Sequence, residues 1–155
     1  MANRRMFSKS ITNSSIFLMM PPTSRLLYYD LGMNADDDGF CEHFVIMKMT
    51  DATPDDLKIL KARGLIEVFD DKVLIILNWK ENNYIQKDRY NPSKYLKTYN
   101  KEIKELSDAG RLMDNQVDIK CIQSGYTGKG SRVKVNKEDT SFIKGTGKVK
   151  KFNSL

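Results

Sequence analysis

Residues 51–79 read "DATPDDLKILKARGLIEVFDDKVLIILNW", and the fold turns on this stretch. Thr53 is a strong N-cap residue, and Pro54 follows at the first helical position, where its missing N–H costs nothing. Asp55 and Asp56 fill the first turn, where the helix dipole favours negative charge. Leu57, Leu60 and Leu65 supply an apolar side, and Gly64 marks the end because glycine accepts a left-handed cap. The pattern predicts a helix over 54–63. Two β-rich runs, "LIEVF" and "VLIILNW", come next, joined by Asp70, Asp71 and Lys72. That is a hairpin signal. It spans 65–79, with Trp79 continuing the second strand into the core.

Upstream, "HFVIMKMT" places Val45, Ile46 and Met49 on one helical face, so residues 43–50 read as a short helix. The gap that follows, "DAT", has the length a helix-turn-helix needs. Residues 22–33, "PTSRLLYYDLGM", read as a helix with Pro22 in its first turn, Leu27, Tyr28 and Leu31 on one face and Gly32 near a capped end. "NADDDGF" is then a polar turn. Downstream, Asn91 and Pro92 open a last helix over 92–109, with Leu96, Tyr99, Ile103 and Leu106 as its apolar stripe and Gly110 able to cap it.

This order predicts an α+β, mainly α domain over residues 1–110. Its form is a winged helix-turn-helix with a two-stranded wing and an extra C-terminal helix. Helix 54–63 is then the recognition helix. At about 100° per residue, Leu57, Leu60 and Gly64 face the core. Asp55, Lys58, Ile59 and Ala62 point away, with Arg63 at the flank. Lys58, Ile59, Ala62 and Arg63 are therefore candidate DNA-facing residues, and Lys72 in the wing joins them. Asp55 could accept a hydrogen bond from a cytosine amino group; alternatively it and Asp56 only stabilise the helix start.

A chain of 155 residues with 40% apolar and 30% charged content fits one domain with an appendage. No apolar run nears the roughly 18 residues a membrane span needs. Arg4, Arg5 and Lys9 precede an apolar patch at Ile16–Met20, but the patch is too short for a signal peptide. The start therefore reads as mature sequence. Two distant cysteines, Cys41 and Cys121, make no disulfide framework and suit a reducing cytoplasm. The charge is uneven. Residues 120–155 hold nine basic and two acidic side chains, a net +7, against about −1 for residues 1–119. Residues 111–155 thus read as a flexible basic tail, either a nucleic-acid-binding arm or a solubilising one.

Between the wing and the last helix, "NWKENNYIQKDRYNPSKY" (78–95) is the densest aromatic run. Tyr84, Lys87, Arg89 and Tyr90 fit neither neighbouring periodicity. Aromatics interleaved with cations suit phosphate neutralisation and base stacking; the competing reading is a loop strapped down by its tyrosines. No metal is expected. "NADDDGF" imitates a calcium loop, but its twelfth position is Val45 instead of Glu, and Cys41 and His43 lack zinc spacing. No phosphate loop or nucleophile–base pair is evident, so neither an enzyme nor a cofactor is expected.

The segments "ANRRMFSKSI", "LGMNADDDGF", "IMKMTDATPDDLKIL" and "NWKENNYIQKDRY" together resemble the N-terminal domain of phage replisome-organiser proteins. These are the DnaD-related replication-initiation proteins of low-GC Gram-positive bacteria and their phages. The resemblance covers roughly residues 2–107. Its most specific part is "ADDDGF" followed about forty residues later by "NNYIQKDRY". It implies a winged-helix DNA-binding domain, a role in opening a phage origin or recruiting the replicative helicase, and a site of action in the bacterial cytoplasm. The implied partners are double-stranded DNA, single-stranded DNA, and a replicative helicase or its loader. Relatives often continue into a second helical domain where this chain has its basic tail, so DNA binding carries over better than helicase loading. A transcriptional regulator and a protein-interaction module remain the alternative uses of such a domain.

Overall fold

The computed structural model describes residues 4–112; the expected basic tail from residue 113 onward lies outside them. The described chain is α+β and mainly helical, with one small antiparallel sheet. In order it runs α1 (Lys9–Thr12), α2 (Ser15–Leu18), α3 (Pro22–Asn34), β1 (Phe40–Glu42), α4 (His43–Thr50), α5 (Pro54–Ala62), β2 (Ile66–Val68), β3 (Val73–Ile76), α6 (Trp79–Asn82), α7 (Tyr95–Thr98) and α8 (Asn100–Asp108).

The deciding stretch folds for the reasons its residues suggest. Thr53 Oγ1 accepts from the Asp56 backbone, and the Asp56 carboxylate accepts from the Thr53 N–H at 3.0 Å, a reciprocal capping box. Arg63 is the C-cap rather than the last helical residue. Gly64 then turns left-handed (φ 70°), with Gly64 N–H bonded to Lys61 O and Leu65 N–H to Leu60 O, which is a Schellman ending. Gly64 itself is exposed rather than core-facing, because the turn points its Cα outward. Between α4 and α5, Asp51 takes a left-handed backbone (φ 52°), which aspartate tolerates better than most residues.

The sheet has three strands in the order β1-β3-β2, not the two of the expected wing. β1 pairs Phe40 with Ile75 and Cys41 with Leu74; β2 pairs Ile66 with Ile76. The central position explains the unbroken apolar run of β3. Leu74 and Ile76 enter one core with Leu27, Tyr28, Leu31, Leu60, Ile66 and Trp79. Val73, Ile75 and Leu77 enter a second with Phe40, Leu96, Ile103 and Leu106. A strand covered on both faces has no polar side to alternate. The strands occupy only residues 66–76 of the expected wing. Trp79 is fully buried as expected, but it opens the one-turn α6 instead of ending a strand.

The last helix is also different. Asn91 N–H donates to Asp37 Oδ2 and Ser93 N–H to Asp38 Oδ2. These donors, with Pro92 lacking one, hold the chain irregular until α7 begins at Tyr95. A second break falls at Tyr99 (φ −107°). Its ring stacks on Phe69 at 4.7 Å, and its hydroxyl bonds Asp70 in the hairpin turn. Arg111 and Leu112, assigned to the tail from sequence, are docked: Arg111 pairs with Glu67 at 2.7 Å, and Leu112 is 8% exposed in the second core.

Gly32 is inside α3 and is no cap; a side chain there would meet the Phe7 ring at 2.5 Å. Phe7, Ile11, Phe17 and Met20 bring the N-terminal residues onto the first core. Met6 N–H and Ser8 N–H are bonded to the side chains of Asn83 and Asn82 at 3.0 and 2.8 Å.

Candidate nucleic-acid interface

The expected site residues fall into two groups. The first lies on α5 and the hairpin. Lys58 is exposed and pairs with Asp55 at 2.9 Å, one turn away. A pair this open is worth little and leaves the ammonium available to a phosphate. Lys61, also exposed, pairs with Glu67 at 2.9 Å. Ala62 and Arg63 are exposed; among the described residues the Arg63 side chain has no ion pair. Ile59, expected to face outward, is half-buried and packs on the first core. Its position beside Leu60 leaves it at the edge of a wider apolar stripe than the sequence pattern implied. Lys72 is exposed in the hairpin turn, where its backbone N–H donates to Asp70 at 2.7 Å and its carbonyl accepts from His43 N–H at 2.8 Å.

Asp56 has a structural part beyond helix capping. It is buried, and its Oδ1 accepts from Thr23 and Ser24 hydroxyls, each at 2.7 Å, at the start of α3. It therefore clamps α5 to α3. Burial alone would raise its pKa, but these hydrogen bonds and those from Thr53 overcome burial and hold it at about 2. Asp55 is exposed, and its carboxylate accepts a hydrogen bond from Lys58.

The second group lies on the loop after α6. The three consecutive aspartates organise it. Asp36 Oδ1 closes its own turn by accepting from Asp38 N–H and Phe40 N–H. Asp37 pairs with Arg5 at 3.1 Å. Asp38 is fully buried and accepts from the Tyr90 hydroxyl at 2.8 Å and from Ser93 N–H at 2.8 Å. Burial raises the Asp38 carboxyl to about 6, although the Ser93 and Tyr90 bonds act against it. Tyr90 is thus a strap, with Lys80 5.8 Å above its ring. Tyr84 is the opposite case, at 81% exposure. Lys87 and Arg89 are exposed, and among the described residues neither side chain has an ion pair.

Tyr84 and Arg89 share the wall of an open cleft of about 1100 Å³ with Arg4, Asn83 and Lys94. Lys87 is not among its lining residues. Arg4, Asn83 and Lys94 were not among the expected site residues; only the fold brings residues 4 and 89 to one cleft. Arg5 reaches the same region but is committed. Its guanidinium sits 5.2 Å over the Trp79 ring and bonds Ala35 O as well as Asp37.

Among the described residues no three His, Cys, Asp or Glu side chains are grouped to hold a metal ion. Cys41 is buried, and burial pushes its thiol up to about 12. No described helix is long and apolar enough to cross a membrane. Comparison with protein-family models, with curated proteins and with solved structures finds no match in any of the three.

Proposed function

We propose that this chain is a winged-helix DNA-binding protein that acts, without enzymatic activity, in initiating phage DNA replication by binding an origin or organising the replisome. The observation that carries the reading is the order α3–β1–α4–α5–β2–β3, with α5 clamped to α3 through Asp56 and the hairpin leaving α5 directly at Gly64. In such an arrangement α5 lies in the major groove and the β2–β3 hairpin is the wing. Lys58 and Arg63 on α5, with Lys72 on the hairpin, then meet phosphates or base edges. The replication role rests on the resemblance of "ADDDGF" and "NNYIQKDRY" to replisome organisers. In this structure those two segments are hydrogen-bonded to each other through Asp38 and Tyr90. A helicase or its loader is the partner this role implies.

An anisotropy titration against duplex DNA tests the binding. Affinity should fall steeply with salt as phosphate contacts release counterions; no binding at low salt rejects the reading. Mapping bound DNA along the phage genome separates replication from transcriptional regulation, by enrichment at an origin or at promoters. One observation favours a protein-interaction module instead: Phe44, Val45 and Met49 stand exposed on α4, where a winged helix would run beside the DNA backbone.

A further inference from the structure

We infer that the cleft between the N-terminal segment and the loop after α6 is a binding site for single-stranded DNA, separate from the duplex-binding helix. Base stacking would fall to Tyr84, and phosphate contacts to Arg4 and Arg89. Four observations meet there.

Tyr84 is the most exposed large hydrophobic side chain of the described residues, at 81%, and it stands on the wall of the cleft. Its neighbour Asn83 is anchored by its side-chain carbonyl, which accepts from Met6 N–H at 3.0 Å. The backbone under Tyr84 is therefore fixed while its ring is presented to solvent. An aromatic face held this way suits an unstacked base, which every single strand offers and a duplex hides inside its stack.

The cations are placed to follow. Arg4 and Arg89 are far apart in sequence yet line one cleft; among the described residues neither side chain is ion-paired. The acidic residues of the same wall are already engaged. Asp37 faces Arg5, and Asp36 accepts two backbone N–H groups of its own turn. Lys94, paired with Glu42 at 3.2 Å in an exposed contact, can be drawn in at small cost.

Of the buried side-chain donors without an acceptor among the described residues, two belong here: Asn83 Nδ2, whose amide oxygen Oδ1 takes the Met6 N–H, and Arg5 Nε. Both belong to residues of the cleft wall. Unsatisfied buried donors are rare, and these two mark a polar wall whose hydrogen bonding is incomplete within the described residues. Finally, a volume of about 1100 Å³ lies just above the range of small-ligand pockets, about 300–1,000 Å³, so the cleft has room for more than a small molecule.

The inference stands apart from duplex binding by α5, and one experiment separates the two. Anisotropy titrations of the full chain use a short fluorescent poly-dT and a duplex of equal length, with melting curves alongside. Tyr84→Ala should weaken poly-dT binding by about 5- to 150-fold. Arg4→Ala and Arg89→Ala should each lower the single-strand salt slope by about 0.7. All three should keep the wild-type melting temperature and duplex affinity. Lys58→Ala/Arg63→Ala should show the reverse, losing duplex and keeping poly-dT. The inference is overturned if the wild type does not bind poly-dT, if the cleft variants bind it normally, or if they lose both ligands equally.

Discussion

The Tyr90 hydroxyl donates to the fully buried carboxylate of Asp38 at 2.8 Å, bonding two segments 52 residues apart. Removing the donor with Tyr90→Phe leaves a buried acceptor one bond short, and should cost about 1–3 kcal/mol by urea denaturation. Duplex affinity should stay as it is, because the hydroxyl is spent inside the protein.

The same carboxylate predicts a pH dependence. Folding raises it from its ordinary 3.8 to about 6, so the native state holds a proton that the unfolded chain releases. Its contribution is fully present below about pH 4 and is lost as pH rises through about 6. Asp38→Asn keeps an acceptor for both donors but cannot ionise. Between about pH 4 and pH 6 its stability should therefore change less than the wild type's, by up to about 3 kcal/mol. Parallel slopes for the two proteins would place the titration elsewhere.

Asp56 acts in the opposite direction. Its hydrogen bonds hold it at about 2 in the native state, so the stability it confers is present above about pH 4 and disappears as pH falls towards 2. Asp56→Ala strips Thr23, Ser24 and Thr53 of their common acceptor. The expected loss is about 2–4 kcal/mol at neutral pH, a buried charge-assisted network plus a helix cap. If α5 reads DNA as proposed, duplex binding should weaken under conditions where the variant still folds.

Gly39 combines a positive φ of 88° with Trp79 Cγ only 2.7 Å from where a Cβ would stand. Gly39→Ala should therefore lose about 2–4 kcal/mol through backbone strain and overpacking together. Fluorescence of Trp79, the one tryptophan of the sequence, reports the unfolding. A neutral effect would show that this turn can relax.

Truncation tests where the folded unit ends. Cutting after Gly110 removes Leu112 from the second core and Arg111 from Glu67, and should lower stability by about 1–3 kcal/mol. Cutting after Leu112 should leave the melting temperature close to that of the full chain. Both should weaken DNA binding if the basic residues from 120 onward contact phosphate.

Local chemistry made α5 readable. Thr53, Pro54, Asp56 and Gly64 each have a position-specific job in a helix; α4 forms where it was expected, but of its expected face Val45, Ile46 and Met49 only Ile46 is buried, with His43 beside it. β1 left no such trace. Its three residues, Phe40–Glu42, are too few to show alternation, and only pairing with β3 makes them a strand. α1 and α2 are four residues each, below any helical period. The break before α7 was hidden because its cause is distant: Asp37 and Asp38 take the N–H groups of Asn91 and Ser93. For the site, charge and aromaticity singled out Tyr84 and Arg89 but could not separate Tyr84 from Tyr90. That distinction depends on Asp38. Arg4 could enter the site only once the chain had folded back on itself.

Met6 and Ser8 find their acceptors on Asn83 and Asn82, 77 and 74 residues later. During synthesis at about 5–20 residues per second, the first turns of the chain must wait roughly 4–15 s before those amides exist. Met6 and Ser8 are thus among the last residues of this domain to settle. Until they do, the segment that carries Phe7 onto the first core lacks its two amide anchors.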